Sequence, residues 1–204
     1  MTEGSSPRSR LLEEAQKLFS AKGFFGVSVR EIAKNAGANP AMISYYFGSK
    51  EGLYREILEH AMERIEEQTI NLHNPKIPPR ERIAFYVRGV IHLHRNNPHY
   101  AKILLHEIQN PSSNLSKIAL PRISQMARGI RQALQEGQDT GEFRSDIPPP
   151  LGAYFVASVA NFYFLQAPLI HSVVPEIGAQ DALLEESVLK IFFEGMGKKC
   201  DASS

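Results

Sequence analysis

Apolar residues recur every three or four positions along almost the whole chain, and no segment alternates apolar and polar residues over a strand's length. Spacing of this kind places the apolar side chains on one face of a helix, whereas a half-buried strand requires alternation. The pattern therefore predicts an all-α fold. Turn residues separate about nine predicted helices, over 10–22, 29–36, 40–47, a long helix that begins near 50, then 80–95, 98–109, 115–138, 151–170 and 181–198.

The composition changes after Asn71, where the stretch NLHNPKIPPRE contains three prolines and must form a connection. We therefore predict a small N-terminal head over 5–65 and a larger C-terminal helical bundle over 66–199. Within the bundle, Pro121 predicts a kink in the seventh helix. Helices eight and nine carry more apolar residues than one buried stripe requires, which predicts an interface as well as a core.

The first fifty residues contain three short predicted helices with a tight turn between the second and third. Ser28 and Glu31 have the spacing of a capping box at the start of the second helix, and Gly37 ends it. Asn39 and Pro40 are typical of the start of the third helix. This arrangement predicts a helix-turn-helix motif over about 28–47.

The third helix has few positions that can be buried. Ile43 and Phe47, four residues apart, can face the core. The remaining positions carry no charge, and we expect them to face outward, with Tyr46 at the margin: Pro40, Ala41, Met42, Ser44 and Tyr45. Such a face suits base edges, which offer methyl and hydrogen-bonding contacts. The alternative is a dimerising helical adaptor whose third helix docks on another protein.

The stretch GVSVREIAKNAGANPAMISYYFGSKEGLYREIL is similar to the head of the tetracycline-repressor (TetR) family of transcriptional regulators. The family pattern has a Ser or Thr cap, I-A, A-G, a short reading helix that ends in Y-F, then S-K and a Leu. The chain matches this pattern at Ser28, Ile32, Ala33, Ala36, Gly37, Tyr46, Phe47, Ser49, Lys50 and Leu53. One departure is Ser44, where the family often has Tyr, so that a base preference cannot be carried over.

The resemblance implies roles for individual residues. Arg30 should reach a phosphate or a base edge, and Tyr46 and Lys50 should each reach a phosphate. Met42, Ser44 and Tyr45 should meet bases. With the capping and first-turn residues, the predicted DNA-binding set is Ser28, Arg30, Asn39, Pro40, Ala41, Met42, Ser44, Tyr45, Tyr46 and Lys50.

The resemblance also implies a partner and a ligand. The expected function is a regulator, more specifically a repressor, that binds a pseudo-palindromic duplex operator as a homodimer and is released by a small-molecule effector of unknown identity. The last two helices should pair with their mates through Phe155, Val159, Leu189 and Phe193, although these residues could equally fill the core of one chain. The effector pocket is predicted to use His94, Tyr100, His106, Phe162, Tyr163 and Gln166, although an ordinary core accounts for each of them singly.

Composition and charge limit the classes of protein to which the chain can belong. The net charge is only +1, so that DNA binding must come from where the charges sit and not from their sum. A single cysteine predicts a protein without internal disulfides. The sequence has no apolar leader and no run of about 18 apolar residues, and we therefore expect a cytoplasmic protein without membrane spans.

No catalytic or metal-binding motif stands out in the chain, and we expect neither enzymatic activity nor a cofactor. Four histidines lie close together between positions 92 and 106. His92 and His94 are two residues apart on a helix and therefore point in different directions, which argues against a shared metal ion.

Overall fold

The computed structural model describes residues 6–197, and its regular elements are helical, as predicted. The nine α-helices in this part of the chain are α1 (Pro7–Lys22), α2 (Val29–Asn35), α3 (Ala41–Phe47), α4 (Lys50–Thr69), α5 (Pro79–Asn96), α6 (Pro98–Gln109), α7 (Leu120–Asp139), α8 (Pro149–Val173) and α9 (Leu184–Met196). The chain forms two compact units, which are described in turn.

The first unit comprises residues up to 64 together with residues 97–121. Helix α1 lies at its centre and packs against α2, α3 and α6. Leu11, Ala15 and Phe19 on α1 are fully buried, as their helical spacing predicted. The rings of Tyr54 and Phe19 pack edge to face with 4.8 Å between their centroids. This core holds the three short helices of the head in fixed positions.

Helix α1 begins three residues before the predicted start. Ser6 Oγ accepts a hydrogen bond from Ser9 N at 3.1 Å, and Pro7 follows in the first turn, where a missing N–H has no cost. The other end lies where predicted: Gly23 adopts φ of 69°. A Cβ atom on Gly23 would lie 3.2 Å from His106 Nδ1, so both the backbone angle and the close approach of α6 favour glycine.

Helix α6 belongs to the same compact unit as the head, which the predicted division into 5–65 and 66–199 does not anticipate. The reason is tertiary packing: α6 lies along α1, and Ser20 Oγ and His99 Nδ1 form a hydrogen bond of 2.8 Å. Burial, with smaller contributions from Lys102 and Lys17, lowers the pKa of His99. The neutral ring is therefore the form that packs against α1.

The second unit comprises residues 65–96 and residues from 122 onward. Helix α5 is its centre and packs against both α8 and α9. Gly89 allows a close approach of the backbone: a Cβ there would lie 2.3 Å from the backbone oxygen of Gln68. The core of this unit includes Ile83, Val87 and Val156, each fully buried. Apolar burial of this extent supplies most of the stability of such a bundle.

One charged side chain lies inside this second core. Arg82 on α5 is only 2% exposed, and its guanidinium is paired with the carboxylate of Glu136 on α7. A second donor reaches the same carboxylate, since Gln132 Nε2 donates to Glu136 Oε1 at 2.9 Å. The arginine is thus neutralised where water cannot hydrate it.

Three short segments differ from the prediction. Residues Ile70–His73 and Pro175–Leu183 are 3₁₀ helices, and Leu115–Ala119 is a π-helical turn before α7. The sequence predicted a kink at Pro121, and the structure has instead the π turn just before it. Pro121 itself lies in the first turn of α7, where a proline needs no N–H partner. Helix α9 begins at Leu184 and not at 181, and its predicted end at Lys198 lies outside the described residues.

None of the helices in the described part of the chain is long and apolar enough to cross a membrane.

Candidate nucleic-acid interface

Helix α2 is fixed at its first turn by a side-chain cap. Ser28 Oγ accepts a hydrogen bond from Glu31 N at 3.1 Å, as the capping-box spacing predicted. The Glu31 carboxylate also accepts from Lys22 Nζ at 2.6 Å, which ties α2 to the end of α1. The hydrogen bond from Lys22 is the main reason that the pKa of Glu31 is lowered, and the backbone of Ser28 adds to it. Ile32 and Ala33 are fully buried and hold α2 on the core.

The turn between α2 and α3 depends on one glycine and one asparagine. Gly37 adopts φ of 61°, a conformation that residues with a Cβ rarely tolerate. Asn39 Oδ1 then accepts a hydrogen bond from Ala41 N at 2.9 Å and caps the third helix. Pro40 occupies the position before the first residue of α3, so that the helix begins one residue later than predicted. The turn therefore sets the angle at which α3 leaves α2.

Helix α3 buries the two side chains that its spacing predicted, Ile43 and Phe47. Ala41, Ser44 and Tyr45 are exposed, whereas Met42 and Tyr46 are half-buried. Tyr45 protrudes from the helix, at 81% exposure. The rings of Tyr45 and Tyr46 pack edge to face, with 4.9 Å between centroids, so that the two tyrosines stand side by side on one surface.

Lys50, predicted to bind a phosphate, also has a structural role that the sequence did not indicate. Its Nζ donates to the backbone oxygens of Phe24 at 3.0 Å and Val27 at 2.9 Å. The same ammonium lies 4.2 Å from the centre of the Phe24 ring. Two of its three donors are thus used to hold the turn that precedes Ser28. The phosphate contact stays a prediction.

We expect Lys50→Ala to lower the stability of the head as well as its affinity for DNA. The variant removes two charge-assisted hydrogen bonds, each worth about 1.5–3 kcal/mol at most, from carbonyl groups that water can only partly rehydrate. The thermal midpoint measured by circular dichroism should therefore fall by several degrees. Lys34→Ala, at an exposed lysine on α2, is the control and should leave the midpoint unchanged. An unchanged midpoint for Lys50→Ala would show that the turn does not need the ammonium.

Arg30 lies exposed on α2. Two acidic residues of the head are paired with other basic residues: Glu31 with Lys22, and Glu56 with Arg8 at 2.8 Å. Arg8 and Arg10 are both part of α1, and Arg10 Nε donates to the oxygen of Ala36 at 3.3 Å. Arg30 is therefore better placed than these two to reach a ligand outside the head.

The six residues predicted for an effector pocket are divided between the units. Tyr100 and His106 lie on α6 in the first unit, and the other four lie in the second. Phe162 is 59% exposed, and Tyr163 and Gln166 are half-buried. The assignment of these six residues to one site stays a prediction.

His94 is the buried polar residue of that set. Its Nε2 is 2.9 Å from Asn161 Oδ1, and since an amide oxygen only accepts, the proton lies on Nε2. His94 Nδ1 is buried without a hydrogen-bond partner among the described residues. Burial lowers the pKa of His94, while the bond to Asn161 opposes that effect. The ring is therefore neutral at pH 7 and belongs to the packing between α5 and α8.

The four residues predicted for the dimer interface also divide into two groups. Phe155 and Val159 on α8 are exposed, at 46% and 50%. Leu189 and Phe193 fill the core of the second unit instead, because α9 packs against α5. Phe193 stacks on Phe143 with 6.3 Å between ring centroids. On α9 the protruding apolar side chain is Ile191, which the sequence analysis did not select.

The histidines do not assemble into a metal site in the described part of the chain. No group of three or more His, Cys, Asp or Glu side chains with suitable geometry occurs among those residues. His92 Nε2 instead lies 3.0 Å from Asn96 Nδ2 on the following turn of α5.

In the head, a short capped helix holds a second short helix on a small helical core. The second helix has an exposed face without charge. This arrangement defines a helix-turn-helix DNA-binding regulator. The family model described as bacterial regulatory proteins, tetR family, matches residues 11–57. The model described as the tetracyclin repressor-like C-terminal domain matches residues 79–187. The chain belongs to the TetR family of transcriptional regulators. The family is non-enzymatic, in agreement with the expectation from the sequence.

Relatives and solved structures agree with this assignment. The transcriptional repressor NicS of Pseudomonas putida is 31% identical over 158 residues, which cover 76% of this chain and 74% of the relative. The probable transcriptional regulator YttP of Bacillus subtilis is 27% identical over 173 residues, 83% of this chain and 82% of the relative. The ketosteroid transcriptional regulator KstR2 of Mycobacterium tuberculosis has the same fold, with a TM-score of 0.79 at 22% identity over 97% of this chain and 98% of that one.

Proposed function

We propose that the chain is a repressor that acts in the cytoplasm as a homodimer, binds a pseudo-palindromic operator and leaves it when a small-molecule effector binds. The observation that carries the proposal is the face of α3, where Tyr45 and Ser44 are exposed without a charged neighbour on that helix. Side chains of this kind read base edges in the major groove, whereas a solvated helix face ordinarily carries charge.

The contacts proposed for each head combine base readout with phosphate binding. Met42, Ser44 and Tyr45 on α3 meet bases, and Tyr46 meets a phosphate. Arg30 on α2 reaches a phosphate or a base edge. The start of α4 supplies a further phosphate contact through Lys50 and free N–H groups. Ser49 Oγ caps this end of the helix and accepts a hydrogen bond from Gly52 N at 3.0 Å.

A homodimer is supported by an exposed apolar surface on α8, here called the α8 stripe. At 100° per residue its members fall within about 80° of the helix circumference and extend over about 33 Å of its length. They are Leu151, Phe155, Val159, Phe162, Leu169 and Val173. Gln166 falls in the same sector and is half-buried. An exposed apolar surface of this length is typical of an interface, and one head alone contacts too few base pairs for useful affinity.

Repression and release follow from simple physical requirements. A protein seated on a promoter excludes polymerase without further contacts, and the similar protein NicS is itself described as a repressor. An effector that binds better when the two heads are misplaced must weaken operator binding by the same factor.

Selection of bound duplexes from a random DNA pool tests the proposal. A dimeric repressor should enrich a pseudo-palindrome whose half-sites are about one helical turn apart or a multiple of it, and its affinity should fall steeply with salt. A helical adaptor that docks α3 on another protein should enrich no sequence. Lack of salt-dependent affinity for any duplex would contradict the proposal.

We expect Val159→Glu to separate the dimer into monomers. The variant places a carboxylate in the middle of the α8 stripe, where the partner helix would exclude water from it. Sedimentation velocity should show the mass of one chain, while circular dichroism should show the same helix content. The affinity for a two-half-site duplex should fall to that for a single half-site. Ser172→Glu, on α8 but outside the stripe, should remain dimeric; if Val159→Glu also does, the stripe is not the interface.

A further inference from the structure

The second unit contains a cleft that none of the predicted site residues lines. It lies between α5, α7 and α8 and has a volume of about 490 Å³. This volume is within the range of small-molecule sites, roughly 300–1,000 Å³. Apolar side chains and two tyrosines line much of it, among them Tyr86, Met126, Ile130, Ala153 and Tyr154.

The cleft carries positive charge and no negative charge. Arg128 and Arg131 line it from consecutive turns of α7, and both are exposed. No aspartate or glutamate is among the described residues that line it. Ion pairs occur at other arginines of residues 6–197: Arg8, Arg82, Arg88, Arg122 and Arg144. Two guanidinium groups beside an apolar surface are complementary to a carboxylate on a hydrocarbon body.

Tyr86 lines the cleft from α5 as a neutral phenol. The residue is 5% exposed, and burial raises the pKa of Tyr86 to about 12. The phenol therefore keeps its proton at neutral pH and does not repel an anion.

The cleft opens on a different side of α8 from the α8 stripe. Its α8 positions are Pro150, Ala153, Tyr154 and Ala157. At 100° per residue, the centre of this group lies about 140° around the helix from the centre of the stripe. A second copy of the chain seated on the stripe would therefore leave these positions uncovered by the paired surface of α8.

We propose that this cleft binds a small apolar carboxylate, with its acid group between Arg128 and Arg131 and its hydrocarbon body on Met126, Ile130 and Ala153. The binding itself is independent of the proposed function. The further step, that this ligand is the effector that changes operator affinity, rests on the proposed function.

Isothermal titration calorimetry on the full chain without DNA tests the binding. The probes are 2-naphthoate and decanoate, each compared with its primary amide, which has the same shape and no charge. At least one carboxylate should bind the chain about tenfold more tightly than its amide. Arg128→Met/Arg131→Met should remove that advantage and leave amide binding unchanged. Lys76→Met, which removes an exposed charge in the same unit outside the lining, is the matched control and should behave as the unaltered chain.

A second variant tests the volume of the cleft. Ala127 is an exposed residue of the lining on α7, so Ala127→Phe fills the space without disturbing the core and should weaken the carboxylate and the amide together. The proposal is overturned if neither carboxylate binds, if the amides bind equally well, or if the arginine variant binds unchanged. It is also overturned if Ala127→Phe changes the sedimentation mass, since a second chain would then cover the cleft.

The regulatory step is measured separately with a selected operator. The carboxylate that binds should weaken operator binding by the unaltered chain and not by Arg128→Met/Arg131→Met. If the carboxylate binds but the chain has no affinity for any duplex, the proposed function is overturned and the proposed carboxylate site is not. Operator binding with no carboxylate binding would overturn the site alone, and carboxylate binding that leaves operator affinity unchanged would overturn its role as the effector.

Discussion

Tyr45→Ala should weaken binding to the selected operator by about 1–3 kcal/mol for each head, or roughly 5- to 150-fold, and should have little effect on random DNA. The side chain is 81% exposed on α3 and is supported on one side by the Tyr46 ring. Its removal cannot open a cavity in the core, so the loss should come from contacts with bases. Fluorescence anisotropy with the operator and with a random duplex, at several salt concentrations, gives both affinities.

Arg30→Ala is the contrasting variant in that measurement. If Arg30 binds a phosphate, affinity should fall equally on both duplexes, and the dependence of log affinity on log salt should become shallower by about one unit per head. Tyr45→Ala should leave the salt dependence unchanged. Equal losses on the two duplexes for Tyr45→Ala would contradict its assignment to base readout.

Glu136→Ala should lower the free energy of unfolding of the second unit by about 3 kcal/mol. The variant leaves the Arg82 guanidinium, 2% exposed, inside the core without the carboxylate that neutralises it. Arg82→Met should cost less, because it leaves behind a carboxylate with a side-chain exposure of 38%, which water can hydrate. Urea unfolding followed by circular dichroism measures both values.

Combining the two substitutions tests the asymmetry directly. In Arg82→Met/Glu136→Ala no charge remains buried, so the double variant should be more stable than Glu136→Ala alone. Gln135→Ala, on the neighbouring exposed position of α7, is the control and should change the stability by less than about 0.5 kcal/mol. If Arg82→Met proves at least as destabilising as Glu136→Ala, the carboxylate is not what stabilises the buried arginine.

The head could be predicted closely because its determinants are local. Ser28, Gly37 and Asn39 act on residues two or three positions away, and the structure has the corresponding caps and turn. The spacing of Ile43 and Phe47 was likewise sufficient to orient α3, since a helix repeats every 3.6 residues. The start of α1 was placed too late because its cap, Ser6, stands before the apolar stripe begins.

Features that depend on distant parts of the chain could not be predicted in the same way. Lys50 donates to the carbonyl groups of Val27 and Phe24, which precede it in sequence by 23 and 26 residues. Leu189 and Phe193 have the same apolar character as Phe155 and Val159, and only packing against α5 separates the core pair from the exposed pair. The 3₁₀ and π segments are short and have no apolar period that distinguishes them from an α-helix.

Helix α6 makes the boundary of the head in sequence different from its boundary in space. The tetR family model ends at residue 57, yet α1 of this head is covered by residues that follow 97. A fragment ending after α4 would lack the histidines that contact Ser20 and Gly23. Exchange of heads between relatives would thus have to transfer two separate stretches of chain, or else leave α1 against a foreign surface.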